Sequence, residues 1–247
     1  MSEPVGSAAS ADATAQVFSS DLHDSLTLGG DDGHHLARVR RVRPGERVTA
    51  ADGAGHWRTY EVTGAAGGEL VLAAVGPLTL EPQGVPLTVA PALITRSRFD
   101  DAIVSLVELG VDTIVPLAAE RCVVQWGTAK VPGALDRLRR LAREAAMQCR
   151  RARLPTIEAP CRPAALAARP GLVVAAADGV GIDELDPAPA SGFVLLTGPE
   201  GGFAPGELDA LGPHGALRLG PHVLRAETAA VAGAAVLRSA TLRAHRA

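Results

Sequence analysis

The segment Glu81-Pro82-Gln83-Gly84-Val85-Pro86 constrains the fold most, because its prolines and glycine interrupt every hydrophobic periodicity. Before it the chain is written in short strands and turns; after it, in alternating strands and helices. The two patterns bury their apolar residues in different ways, so the linker is read as a domain boundary within the 247 residues. Residues 1–16 are rich in Ala and Ser with little to bury and are expected to form a frayed tail. Residues 17–82 are expected to form a small β-barrel, and residues 83–247 an α/β domain.

In the first part, the segments 25–28, 47–51, 56–63 and 69–75 alternate apolar with polar residues and are separated by Gly29-Gly30, Asp52-Gly53 and Gly67-Gly68. An Asp-Gly pair between alternating segments predicts a hairpin. In the second part, residues 87–94, 113–117, 172–177 and 193–196 are apolar runs of the kind buried in parallel sheets. Phe99, Ile103, Leu106 and Val107 recur at helical spacing ahead of Gly110, and Leu135, Leu138, Leu141 and Ala145 mark a helix opened by Pro132. Pro205 and Glu207 open a short helix to Leu211, residues 216–219 form another strand, and an Ala-rich helix over 226–243 closes the chain. This is an α/β layer architecture.

Composition excludes several classes. Cys122, Cys149 and Cys161 are too few and too scattered for a disulfide framework or a metal knuckle, which points to a reducing, cytoplasmic setting. No run approaches the ~18 apolar residues of a membrane span, and the opening Met1-Ser2-Glu3 lacks a basic leader, so no membrane or secretory role is expected. His34 and His35, adjacent on one strand, would point in opposite directions, and no metal site is expected. The net charge of −3 argues on average against a nucleic-acid partner. Two blocks reverse that locally. Residues 34–58 hold six arginines, Arg38 and Arg41 among them, against Glu46 and Asp52, and residues 137–153 hold seven against Glu144. Arginine's planar fork suits phosphate contacts, which shifts the reading toward RNA or DNA.

The motif with most chemical content is Leu195-Leu196-Thr197-Gly198-Pro199-Glu200-Gly201-Gly202-Phe203, a buried strand running into a glycine-rich loop. Ligands of open α/β sheets bind at such strand ends. Glu200 would repel a phosphate, so the loop suits a neutral or cationic ligand. A second strand ends in Gly-Pro at Leu219-Gly220-Pro221-His222-Val223-Leu224-Arg225-Ala226-Glu227-Thr228-Ala229. The two loops can form two walls of one pocket.

This pair of motifs resembles the signature of the ribosomal RNA small-subunit methyltransferase E family. Further matches span most of the chain: His34-His35-Leu36 with Val39, Arg41 and Pro44-Gly45; Glu108-Leu109-Gly110-Val111; Pro116; Glu120-Arg121; and Glu144-Ala145 through Gln148, Arg151 and Pro155. The resemblance implies a trefoil-knotted SPOUT methyltransferase domain behind a PUA-like β-barrel. It also implies a homodimer that transfers a methyl group from S-adenosylmethionine to N3 of a uridine in 16S ribosomal RNA of the small subunit. The residues it places around the cofactor are Leu196, Thr197, Gly198, Pro199, Glu200, Gly201, Gly202, Leu219, Gly220, Val223, Leu224, Arg225, Thr228 and Ala229.

Methylating a weakly acidic imide requires removal of its proton and stabilisation of the resulting anion. Arg225 is the candidate for stabilising that charge; either Glu200 or Glu227 could take the proton, and both could equally cap backbone amides, the favoured reading of the two. Arg38, Arg41, Arg121, Arg150, Arg151 and Arg153 are the candidate RNA contacts. Three positions depart from the family pattern: Thr95 where a lysine is common, Val107 where a threonine often precedes Glu-Leu-Gly, and His222 where an arginine often stands. They bear on substrate positioning more than on the cofactor. Competing readings are a non-catalytic RNA-binding or assembly module and a SPOUT enzyme acting on another RNA.

Overall fold

The computed structural model describes residues 12–30, 42–66, 69–211 and 215–244. His34, His35, Arg38 and Arg41 lie outside these. The chain divides into two compact units: Met1–Pro82 with Arg143–Leu154, and Gln83–Ala142 with Pro155–Ala247.

The first unit is a six-stranded sheet: β1 (Ala15–Phe18), β2 (Ser25–Leu28), β3 (Arg47–Ala51), β4 (His56–Ala66), β5 (Glu69–Ala74) and β6 (Thr79–Leu80). The strand order is β1-β3-β4-β5-β2, with β6 paired to β4. β2 and β5 alternate exposed and buried side chains, so Leu26, Leu28, Leu70 and Leu72 reach one core with Val17, Val48, Tyr60 and Val62. The expected tail ends early. β1 begins at Ala15 and pairs parallel with β3, which buries Gln16, Val17 and Phe18.

The hairpin at Asp52-Gly53 forms as its residues predict. Gly53 and Gly55 take φ of +79° and +109°, which side-chain-bearing residues rarely adopt. Asp52 closes the turn by accepting hydrogen bonds from the amides of Ala54 (2.7 Å) and His56 (3.0 Å), with the His56 ring at 2.8 Å. Burial opposes the charged form of Asp52, but these partners outweigh it and hold its pKa below the usual carboxylate value.

The segment Arg143–Leu154 packs into this unit. The Arg143 guanidinium lies over the Phe18 ring at 5.5 Å and donates to the Phe18 carbonyl at 3.2 Å. Arg150 donates to the Ala13 carbonyl at 2.6 Å, and the Arg151 carbonyl accepts from Gln16 at 2.7 Å. Arg153 donates to the carbonyls of Ala54 and Glu81. Its guanidinium lies where a Cβ on Gly55 would come within 2.5 Å. Arg150 and Arg153 thus spend part of their guanidinium donors on backbone carbonyls of their own unit.

The second unit carries a parallel sheet in the order β12-β10-β11-β7-β8-β9. Its strands are β7 (Leu87–Pro91), β8 (Thr113–Ile114), β9 (Thr156–Ile157), β10 (Leu172–Val180), β11 (Phe193–Thr197) and β12 (Gly215–Leu217). Every residue of β11 is buried, as expected for a central strand covered on both faces. Helix α1 (Arg96–Glu108) follows β7, α2 is Val131–Cys149, and α3 is Ala226–Ala244. On α3 the buried stripe Ala226, Ala230, Ala234, Leu237 and Thr241 has helical spacing, and Gly233 lets the helix approach Leu195. Arg238 ties the helix to the sheet by donating to the carbonyls of Val85 and Gly110 and pairing with Asp112 at 2.8 Å.

The helix expected at 205–211 is reduced to one 3-10 turn at Asp209–Leu211. Gly206 at φ +79° breaks a helical path, and Glu207 instead accepts hydrogen bonds from the amides of Ala204 and Glu120. β12 stops at Leu217, two residues before the strand end expected from the apolar run, which leaves Leu219 and Gly220 in a loop.

Candidate functional site: a cavity between two Gly-Pro loops

β11 delivers its last residue, Thr197, fully buried, and the chain then turns through Gly198–Phe203. Gly198 lies against the Phe203 ring, so close that a Cβ would stand 3.1 Å from it. Gly202 has φ +66°, and its amide donates to the Pro199 carbonyl at 2.8 Å. Arg121 donates to the Gly201 carbonyl at 3.0 Å and braces the outside of the loop. The loop after β12 faces it, and β10 lies between the two strands as their common neighbour.

Together they enclose a cavity of about 250 Å³. Of the expected residues, Gly198, Pro199, Glu200, Gly202, Leu219, Gly220, Val223, Leu224 and Ala229 line it. Leu196, Thr197, Gly201, Arg225 and Thr228 do not: Leu196 is in the hydrophobic core, Gly201 faces Arg121, and Arg225 and Thr228 are exposed. Ala175, Ala176 and Ala177 of β10, with Phe203, Leu217, His222 and Ala226, complete the wall. Alanines in a strand carry no chemical signal, so only strand order could have placed them here.

The wall is largely backbone and apolar carbon, with one carboxylate, Glu200, and no Lys or Arg. Gly220 has nothing within 4 Å of the position its Cβ would take, so a ligand can approach the backbone there. Thr197 Oγ1 is buried without a hydrogen-bond partner at the end of β11. At the rim, Arg98 of α1 stands 3.6 Å from Glu200 and 3.8 Å from Glu227. Glu227 Oε2 is buried and unpartnered. Beside Arg98, two carboxylates stand against one guanidinium, and this edge of the rim favours a cationic ligand over a phosphate. No sequence motif marks Arg98 as the bridge between these acids.

Among the described residues, no group of His, Cys, Asp or Glu is arranged to hold a metal ion, and no helix is long and apolar enough to cross a membrane. Burial pushes the thiols of Cys122 and Cys161 above their usual pKa, and both behave as packing residues.

Comparison with known proteins agrees with this architecture. Residues 81–238 match the RNA methyltransferase domain family, and residues 28–75 match the RNA methyltransferase PUA domain family. The ribosomal RNA small subunit methyltransferase E of Mycobacterium bovis is 39% identical over 214 residues, 82% of each chain. The protein of that name from Synechocystis is 32% identical, covering 84% of this chain and 71% of its own. Among solved structures, the Neisseria gonorrhoeae ribosomal RNA small subunit methyltransferase E bound to S-adenosylmethionine aligns with a TM-score of 0.80. It covers 91% of this chain and 97% of its own at 24% identity, a likeness of fold. A Legionella pneumophila methyltransferase with the same cofactor bound aligns equally well, also at TM-score 0.80 and 24% identity. With its sheet, its paired Gly-Pro loops and these matches along most of its length, the chain belongs to the ribosomal RNA small subunit methyltransferase E family.

Proposed function

We propose that this protein transfers the methyl group of S-adenosylmethionine to N3 of a uridine in 16S ribosomal RNA, acting in the cytoplasm as a homodimer. The observation that carries the reading is the cavity itself, walled by Gly198–Gly202 and Leu219–Leu224, free of Lys and Arg and edged by Glu200. The bound cofactor would supply an electrophilic methyl on a sulfonium, which suits the acidic edge formed by Glu200 and Glu227. Backbone groups of Gly198, Gly202, Leu219 and Leu224 hold the adenine and ribose, and Gly220 leaves room for close approach.

The remaining steps fall to the chain's own side chains. The uracil N3 proton passes to the Glu200 carboxylate, which Arg98 positions at the cavity mouth. Arg225, exposed at the end of the second loop, stabilises the charge that develops on O2 or O4. Arg121, exposed beside the first loop, contacts the RNA backbone, and Arg38 and Arg41 supply further phosphate contacts. The target base must leave its stack to enter. On α3, Ala229, Val231, Ala232, Ala235 and Val236 remain partly exposed, an apolar face for the second copy to cover.

The test is methyl transfer in vitro from labelled S-adenosylmethionine to small ribosomal subunits from a strain lacking this gene. Label in 16S RNA supports the reading. Absence of label, or label in transfer RNA ribose, overturns it.

A further inference from the structure

A second cavity, of about 390 Å³, lies in the same unit. Its lining includes Arg96, Phe99, Trp126, Lys130, Arg137 and Arg140. Its character is opposite to that of the first. Phe99 and Trp126 meet edge to face, ring centroids 6.0 Å apart and planes at 80°, so the buried Phe99 ring fixes the partly exposed Trp126 indole in the pocket wall. Around them stand four cations. Arg137 is neutralised by an ion pair with Asp100, and Arg96 lies 3.9 Å from the same carboxylate. Lys130 and Arg140 are exposed and have no carboxylate partner among the described residues.

Flat aromatic surface combined with uncompensated positive charge matches a nucleotide unit, whose base offers a π face and whose phosphate offers an anion. The volume is in the range of small-molecule pockets. The location ties this cavity to the first. Arg96 and Phe99 of α1 line it, while Arg98, between them in the same helical turn, reaches Glu200 at the mouth of the cofactor cavity. The first turn of α1 therefore faces both.

We propose that this cavity is an RNA subsite that receives a nucleotide flanking the methylated base, its base packed against Trp126 and its phosphate held by Lys130 and Arg140. The inference rests on the RNA-methyltransferase reading, but its first test does not need turnover. The chain has two tryptophans, Trp57 and Trp126, so a Trp57→Phe variant reports on Trp126 alone. Titrating that variant with a short single-stranded RNA containing uridine should quench its fluorescence. Lys130→Ala with Arg140→Ala should lower the slope of log affinity against log salt by about 0.7, the loss of one neutralised single-strand phosphate.

In turnover, Trp126→Leu should raise KM for small ribosomal subunits roughly tenfold while leaving the dissociation constant for S-adenosylmethionine unchanged. The unchanged cofactor affinity separates loss of the subsite from misfolding. Lack of quenching at saturating RNA, or an unaltered salt slope and KM, overturns the proposal even where the wild-type enzyme methylates normally. So does fluorescence that responds to protein dilution and not to RNA, which would make the cavity a contact between copies.

Discussion

Arg98 stands between Glu200, which lines the cavity between the two Gly-Pro loops, and Glu227 at its rim, with its guanidinium 3.6 Å from the first and 3.8 Å from the second. The pairs are partly exposed, so solvent screens them and their value lies in position more than in stability. Arg98→Gln should therefore leave the folded state intact and lower kcat about tenfold, with little change in KM for the RNA. Steady-state kinetics on small ribosomal subunits, with thermal unfolding as the control, checks this.

Gly220 and Gly198 should respond differently to enlargement. A Cβ at Gly220 meets open space, whereas one at Gly198 presses on the Phe203 ring at 3.1 Å. Gly220→Val should fold normally and lose S-adenosylmethionine binding in calorimetry, because its side chain fills the ligand's place. Gly198→Val should also lower the melting temperature.

Arg153 should behave as a structural residue. Its hydrogen bonds to Ala54 and Glu81 and its seat against Gly55 bind the segment after α2 to the first sheet. Arg153→Ala should cost about 2 kcal/mol in unfolding free energy, the usual scale for hydrogen bonds from a charged donor, with the part-buried bond to Glu81 giving most of it. The salt slope of RNA binding should not change.

The pH dependence of the first unit should carry the mark of Asp52. Its folded pKa is lowered, so the stability it contributes is present above its unfolded value of about 3.8 and is lost as pH falls through the folded value. Asp52→Asn should destabilise the protein by about 1–2 kcal/mol at pH 7, the scale of its lost hydrogen bonds. The difference from wild type should shrink as pH falls below about 3.8, as denaturant unfolding at a series of pH values will show. Glu81 has the opposite sense: burial outweighs the attraction of Arg151 and Arg153 and raises its pKa, so ionisation at neutral pH opposes folding.

What could be read beforehand was whatever local chemistry dictates. The Asp52-Gly53 turn, the buried run ending at Thr197 and the two Gly-Pro loops each carry their geometry in a few adjacent residues. What could not be read depends on distant partners. Ala15–Phe18 is too short and too plain to announce a strand, and it becomes one through pairing with Arg47–Ala51. The arginines of 143–153 look alike in sequence, yet Arg143 and Arg153 are spent on Phe18, Ala54 and Glu81 inside their unit. Ala175–Ala177 enter the cavity wall only because β10 lies between β11 and β12.

The partly exposed apolar face of α3 predicts assembly. Ala235→Glu places a charge on that face and should yield monomers or aggregates with loss of methyl transfer, measured by light scattering and activity on the same sample. An active wild-type monomer at nanomolar concentration would exclude the dimer requirement.

The activity is defined by the atom that is methylated. Small ribosomal subunits lacking the modification should be treated with the protein and S-adenosylmethionine, and their 16S RNA digested to nucleosides for mass spectrometry. The account predicts one new species, 3-methyluridine, absent from a parallel reaction with Gly220→Val. A methyl group on ribose, on another base, or on no nucleoside at all would contradict it.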